Sequence, residues 1–154
     1  MEFDFTLNNP GIRTLVNQSR HRDRILRILN GDLPKRPLTD SNCHGLSLYL
    51  LNDLDLPSFV EPEEMYKIMS KNYRVIGGKD DIIAVWANSN GFLYHTGIYL
   101  GDISERKVVF EKNGIEGEYQ FSDFSYFQQG FYMMLGKRLA FETEFTVLLH
   151  GKSR

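Results

Sequence analysis

The feature that most constrains the fold of this chain is a change in residue pattern about halfway along it. In the first half, apolar residues recur at helical spacing, as in residues 12–29. In the second half they occur in short segments rich in β-branched and aromatic side chains, separated by Gly, Asn, Asp and Ser. Helices followed by strands predict an α+β domain in which N-terminal helices pack on an antiparallel β-sheet.

Residues that favour helix caps and turns predict where the expected helices and strands begin and end. The first helix is expected to break near Ser19 and to stop at Asn30 and Gly31. The second is expected to start at or next to Cys43, because good N-cap residues precede it, and another is expected to open at residues 61–64. The expected strands are residues 75–76, 82–87, 93–100, 108–110, 119–121, 132–135 and 141–149.

Length, charge and cysteine content narrow the class of protein. The 154 residues fit one domain, 1–154, and the net charge of -2 argues against a nucleic-acid partner. One cysteine cannot form an internal disulfide, and no Cys/His cluster predicts a structural zinc site. We expect no signal peptide and no transmembrane segment, hence a cytoplasmic protein, with signal-independent secretion as an alternative.

The first candidate for chemistry is Cys43, in the stretch SNCHGLSLYLL. A thiol at a helix N-terminus has a lowered pKa, because the helix dipole and free N–H groups stabilise the thiolate. Taken alone, a lone cysteine is more often a small buried hydrophobe. Downstream residues must therefore decide between the two interpretations.

The second candidate is His95, at the start of the apolar stretch YHTGIYLG. Strand alternation puts it on the same face as Gly97, whose missing side chain is expected to leave open space beside the imidazole. On the next expected strand, Glu111 and Asn113 point the same way, and either one can orient a catalytic imidazole. A hydrogen-bonded core histidine and hairpin surface residues are the alternatives.

These stretches resemble a known family. The stretch GGKDDIIAVWANSNGFLYHTGIYLGD is similar to the core of the NlpC-type cell-wall peptidases, and NCHG is similar to the start of their cysteine-bearing helix. FEKNG resembles the Glu-x-Asn pair of the related CHAP amidases. In this chain Asn42 stands where that family usually has an acid, and His44 where it has a small residue.

The resemblance implies a papain-like fold of the NlpC/CHAP type, with a catalytic core at about residues 40–114 and residues 1–30 as an N-terminal helical extension. By the resemblance, Cys43 is the nucleophile, His95 the base and Glu111 the orienting residue. Further orienting or substrate-cleft candidates are Asn113, Asn42 and His44.

The implied chemistry is that of a cysteine peptidase or amidase, a thiol hydrolase that works through a thioester and requires no cofactor and no metal. The substrate expected is a peptide, a peptidoglycan peptide or an acyl compound. Acyl transfer and protein deamidation on the same fold are alternatives. So is a non-catalytic binding module that presents its aromatic strands to a partner.

Overall fold

The computed structural model describes residues 2–75, 77–87, 92–123 and 145–152. Within these ranges the chain forms an α+β structure of helices followed by an antiparallel sheet. The helices are α1 (Pro10–Gln18), α2 (Arg22–Leu29), α3 (Cys43–Leu50) and α4 (Pro62–Asn72), with a 3₁₀ turn at Leu38–Asp40.

Six strands form the sheet in the described part of the chain. They are β1 (Tyr73–Val75), β2 (Ile82–Ala87), β3 (Leu93–Ile103), β4 (Arg106–Lys112), β5 (Tyr119–Asp123) and β6 (Phe145–Lys152). Their order across the sheet is β1-β6-β2-β3-β4-β5, and every neighbouring pair is antiparallel. Strands β3 and β4 therefore lie side by side near one edge.

Local sequence explains where the helices begin and end. The Asn9 side chain accepts from the Gly11 N–H, and Pro10 occupies the first helical position of α1, where a missing N–H costs nothing. The first helical segment is interrupted at Ser19, as expected, so α1 and α2 are separate. Glu63 and Glu64 lie in the first turn of α4, where the helix dipole favours carboxylates.

One apolar cluster joins the helices to the sheet, and α1, α3 and α4 all contact β3. Helix α3 is the most enclosed, since all its residues are buried. An all-round buried helix needs no polar face, which accounts for the run of leucines after Cys43. The fully buried large side chains of the cluster include Ile12, Ile25, Leu46, Tyr49, Met65, Ile82, Ile98 and Phe110.

The expected elements correspond to observed ones wherever the structure describes them. The expected strands at residues 75–76 and 141–149 overlap β1 (Tyr73–Val75) and β6 (Phe145–Lys152), and their residues 76 and 141–144 lie outside the described ranges. The expected strand at residues 132–135 lies outside the described ranges. No helix in the described ranges has both the length and the apolar character that crossing a bilayer requires.

Candidate active site

The N-terminus of α3 is held by Asn42. Its side-chain oxygen accepts from the backbone N–H groups of Gly45 (3.0 Å) and Val60 (3.1 Å), and its amide nitrogen donates to the Val60 carbonyl at 2.7 Å. The Asn42 side chain is thus committed to capping the helix and tying it to the loop that follows. Cys43 and His44 lie in the first turn of α3, so their N–H groups have no acceptor within the helix.

Gly45 allows the loop between α3 and α4 to approach the first turn of α3. A Cβ atom at this position would lie 1.5 Å from the Ser58 carbonyl oxygen. No side chain fits in that space, so the glycine is required by a backbone-to-backbone contact. The cysteine consequently starts a helix that is clamped from one side by its own following loop.

His95 and Glu111 meet across the β3–β4 pair. His95 Nε2 lies 2.9 Å from Glu111 Oε1, and both residues are buried. The Ile98–Phe110 register places Gly97 beside Glu111, where a Cβ on Gly97 would lie 3.3 Å from Glu111 Cβ. The space expected beside the imidazole is therefore occupied by the glutamate side chain, and Gly97 permits this approach.

The second oxygen of Glu111 is bound from β5. Oε2 accepts from Gln120 Nε2 at 2.9 Å and from Ser122 Oγ at 3.0 Å. Burial alone would raise the pKa of Glu111, but the hydrogen bond and charge of His95, with these two donors, lower it below the usual range. Of the two orienting candidates, Glu111 is the one bonded to His95 Nε2; Asn113 follows the end of β4 and is half-buried.

Cys43 lies within electrostatic and hydrogen-bonding reach of His95. Burial would raise the pKa of the thiol, but the charges of His95 and His44 and hydrogen bonds from both rings lower it well below its ordinary value. Burial likewise opposes protonation of His95, while Cys43 and Glu111 together raise its pKa. The three residues are 5 %, 3 % and 2 % exposed, so water screens these interactions little.

His44 comes closer to the thiol than its place in the sequence predicts. Its Nδ1 lies 3.7 Å from Cys43 Sγ and 2.9 Å from Thr96 Oγ1, and the side chain is buried. Ser47 Oγ lies 3.1 Å from Thr96 Oγ1 and 3.1 Å from the Cys43 carbonyl oxygen. His44 therefore contacts the sulfur from within its own helix.

Lys112 is a further charged residue of this site, and the sequence alone does not single it out. It is fully buried, and its Nζ donates to the Gly114 carbonyl at 2.9 Å and to the Ile115 carbonyl. Burial lowers the pKa of this lysine, and the negative charge of Cys43 acts in the opposite direction. Strand alternation alone offered a signal, since it places Lys112 on the same face as the apolar Phe110.

A groove adjoins the segment that leads into α3. It has a volume of about 240 Å³, and its lining combines prolines and leucines of the loops before and after α3 with the charged residues Lys35, Arg36 and Asp40 and with Ser41 and Tyr119. The Tyr119 hydroxyl lies 2.6 Å from Ser41 Oγ and so joins β5 to the residues just before Cys43. The groove thus reaches to within two residues of the thiol along the chain.

Together these side chains provide a thiol, an imidazole and a carboxylate in one buried cluster, a combination suited to nucleophilic attack. Among the residues that the structure describes, no group of three or more His, Cys, Asp or Glu side chains is arranged to hold a metal ion. No family model matches the chain, and no curated protein or solved structure matches it significantly.

Proposed function

We propose that this protein is a cysteine hydrolase of the peptidase or amidase type, with Cys43 as nucleophile, His95 as base and Glu111 as orienting carboxylate. The observation that carries the proposal is the 2.9 Å contact between His95 Nε2 and Glu111 Oε1. An ionised carboxylate only accepts hydrogen bonds, so Nε2 must carry a proton. That tautomer leaves Nδ1 to exchange a proton with the thiol.

The position of the thiol supports the same assignment. Cys43 is the first residue of α3, where the dipole and unpaired N–H groups stabilise negative charge. The lowered pKa of Cys43 and the raised pKa of His95 favour a thiolate–imidazolium pair in the resting protein. In a papain-like fold a thiol lies at the start of a helix, beside two strands that carry the base and the carboxylate. This chain has the same layout, and we therefore propose that its fold is papain-like.

The reaction follows from these groups. The Cys43 thiolate attacks an amide or ester carbonyl carbon, and the carbon–sulfur bond forms as the carbonyl π electrons move to oxygen. The Cys43 N–H donates to that oxygen. Collapse of the intermediate breaks the bond to the leaving amine or alcohol, which takes the proton from His95 Nδ1. Water then attacks the thioester while His95 removes its proton, and the released acid leaves the thiolate restored.

The nature of the nucleophile is tested by alkylation. We expect native protein to react with iodoacetamide at pH 6 much faster than free cysteine, whose thiol has a pKa of about 8.5. His95→Gln should reduce the rate at pH 6 at least about tenfold. A matched exchange at a distant buried histidine, His21→Gln, should leave the rate unchanged, because His21 Nε2 bonds to the Asp80 carbonyl. If labelling of the native protein requires denaturant, the proposal is wrong.

The reaction type is tested by products. Wild type and Cys43→Ala are incubated separately with peptidoglycan fragments, acyl thioesters or lipids, and a glutamine-rich protein, and the products are examined by mass spectrometry. Cleavage supports the hydrolase assignment. Acyl attachment to an amine indicates an acyltransferase, and ammonia release without cleavage indicates a deamidase. A reactive thiol without product in any arm would contradict all three substrate classes.

A further inference from the structure

His44 is the one imidazole at this site to which the proposed reaction assigns no role. It directly follows the nucleophile, and successive helical side chains point about 100° apart, so the sequence places it away from the thiol. In the structure its Nδ1 nevertheless lies 3.7 Å from Cys43 Sγ and 2.9 Å from Thr96 Oγ1. One nitrogen thus faces both the sulfur and a hydroxyl.

The hydrogen bonds that link His44, Thr96, Ser47 and the Cys43 carbonyl can be arranged in two orders, which differ in where the hydrogens lie. Thr96 and Ser47 each carry one hydroxyl hydrogen, and the Cys43 carbonyl only accepts. In the first order, Thr96 Oγ1 uses its two acceptor sites to accept from Ser47 Oγ and from a protonated His44 Nδ1. In the second order, Thr96 still accepts from Ser47 Oγ but donates its own hydrogen to an unprotonated Nδ1.

The state of the sulfur decides between these two orders. A thiolate next to an unprotonated Nδ1 would be repelled by the lone pair of that nitrogen. A protonated Nδ1 instead donates to the thiolate as well as to Thr96. A thiolate therefore favours the first order. Once the sulfur carries an acyl group it accepts weakly, and the Nδ1 hydrogen is left to Thr96.

We propose that His44 is a positioning residue whose Nδ1–H donates to the Cys43 thiolate, with Thr96 holding the ring in place and sharing that hydrogen. The inference rests on the proposed role of Cys43 as nucleophile. The sulfur then lies between two imidazoles, of which His95 exchanges the proton and His44 stabilises the charge. Lys112 of β4 also interacts electrostatically with Cys43, and Glu111 of the same strand is linked to the thiol through His95.

The test is the pH dependence of iodoacetamide alkylation in two His44 variants. His44→Leu removes the donor, and we expect the midpoint to move up by about one pH unit and the rate at pH 6 to fall about tenfold. His44→Asn keeps an N–H near the position of Nδ1 and should restore most of the wild-type profile. His21→Leu is the matched control, since it removes a buried histidine elsewhere.

The outcomes separate this inference from the proposed function. If wild type already titrates as an ordinary thiol, the proposed function fails. If wild type is activated and His95→Gln shifts the midpoint while His44→Leu does not, the role of His44 is refuted and the hydrolase proposal stands.

A second measurement does not depend on the variants folding. In ¹⁵N-histidine-labelled wild type, Nδ1 of His44 should be protonated at pH 7, and its resonance should shift when Cys43 is alkylated. An unprotonated Nδ1 in the thiolate form would overturn the inference.

Discussion

At the scale of single residues, Glu111 is the side chain of the site whose hydrogen bonds depend most on its ionisation. One oxygen accepts from His95 and the other from Gln120 and Ser122, so every partner is a donor. Only an ionised carboxylate satisfies all of them at once. This makes the effect of a nearly isosteric change predictable.

We therefore predict that Glu111→Gln lowers the reactivity of Cys43 without changing the size of the side chain. An amide must turn its NH₂ group either toward Gln120 and Ser122 or toward His95. The first choice requires Gln120 and Ser122 to reorient and accept, and the second forces the proton of His95 onto Nδ1. Both remove the negative charge that stabilises a protonated His95. We expect alkylation at pH 6 to slow at least about tenfold and turnover of a substrate to fall roughly 10²- to 10⁴-fold.

Two controls accompany Glu111→Gln: its own alkylation rate at high pH, and a Glu→Gln exchange at an exposed position. At pH 10 its alkylation rate should rejoin that of wild type, because every thiol is then ionised. The exposed Glu105→Gln, in the turn between β3 and β4, should match wild type at both pH values. A Glu111→Gln profile that coincides with wild type would exclude Glu111 as the orienting residue.

At the scale of elements, the start of α3 depends on the loop that follows the helix. Asn42 caps the helix and also bonds the Val60 backbone, and Gly45 lets the Ser58 carbonyl approach. Cap and loop together determine which residue comes first in the helix, and hence whether the thiol lies at the positive end of the dipole.

We predict that Gly45→Ala destabilises the protein although alanine is the better helix former. Helix propensity favours alanine by about 1 kcal/mol, but the added methyl group would displace the Ser58 backbone, and overpacking of this kind costs about 1–3 kcal/mol. We expect a net loss in the free energy of unfolding and slower alkylation of Cys43, measured by urea denaturation and by labelling.

Gly11→Ala is the matched control for this prediction. A Cβ on Gly11, in α1, would meet mainly the end of the Ile103 side chain, at 3.0 Å, and that side chain can move. The loss should be smaller there, and Cys43 reactivity should not change. Equal losses at the two positions would contradict the role given to the Ser58 contact.

At the scale of the whole molecule, the buried charges link stability to pH. Below about pH 6.5 the unfolded chain holds a proton on both the His95 imidazole and the Cys43 thiol, whereas the proposed thiolate–imidazolium pair of the folded protein holds one. Stability should therefore rise with pH up to that point. Between about pH 6.5 and 8.5 each state holds one proton on the pair, so the contribution is constant. Above about 8.5 the folded state binds more protons, and stability falls.

We predict that Cys43→Ala lowers the pH above which the folded protein begins to lose stability. In this variant burial lowers the pKa of His95 and only Glu111 raises it. We expect the Glu111 carboxylate to keep the folded imidazole protonated, and no thiol remains to balance the proton that the unfolded imidazole loses. Stability should then begin to fall above about pH 6.5 instead of about pH 8.5. Urea denaturation of both proteins from pH 5 to pH 9.5 measures the two limits. The same alkaline limit in both would show that no thiolate–imidazolium pair forms.

The sequence by itself determined the α+β order of elements, the helix start at Cys43 and the shared face of His95 and Glu111. These depend on local properties, namely N-cap chemistry, residue periodicity and the alternation of side chains along a strand. Residue order and motif similarity were sufficient to select Cys43, His95 and Glu111 as a set, and the structure brings them into one buried cluster.

Only the tertiary structure decided the partners of these side chains. Alternation states which face a residue occupies but not its register, so the Ile98–Phe110 pairing was needed to bring Glu111 to His95 Nε2. The contact of His44 with the sulfur depends on Thr96, which is 52 residues further along the chain. The burial of Lys112 depends on the turn after β4. Such contacts join distant segments, and no local pattern encodes the distance between them.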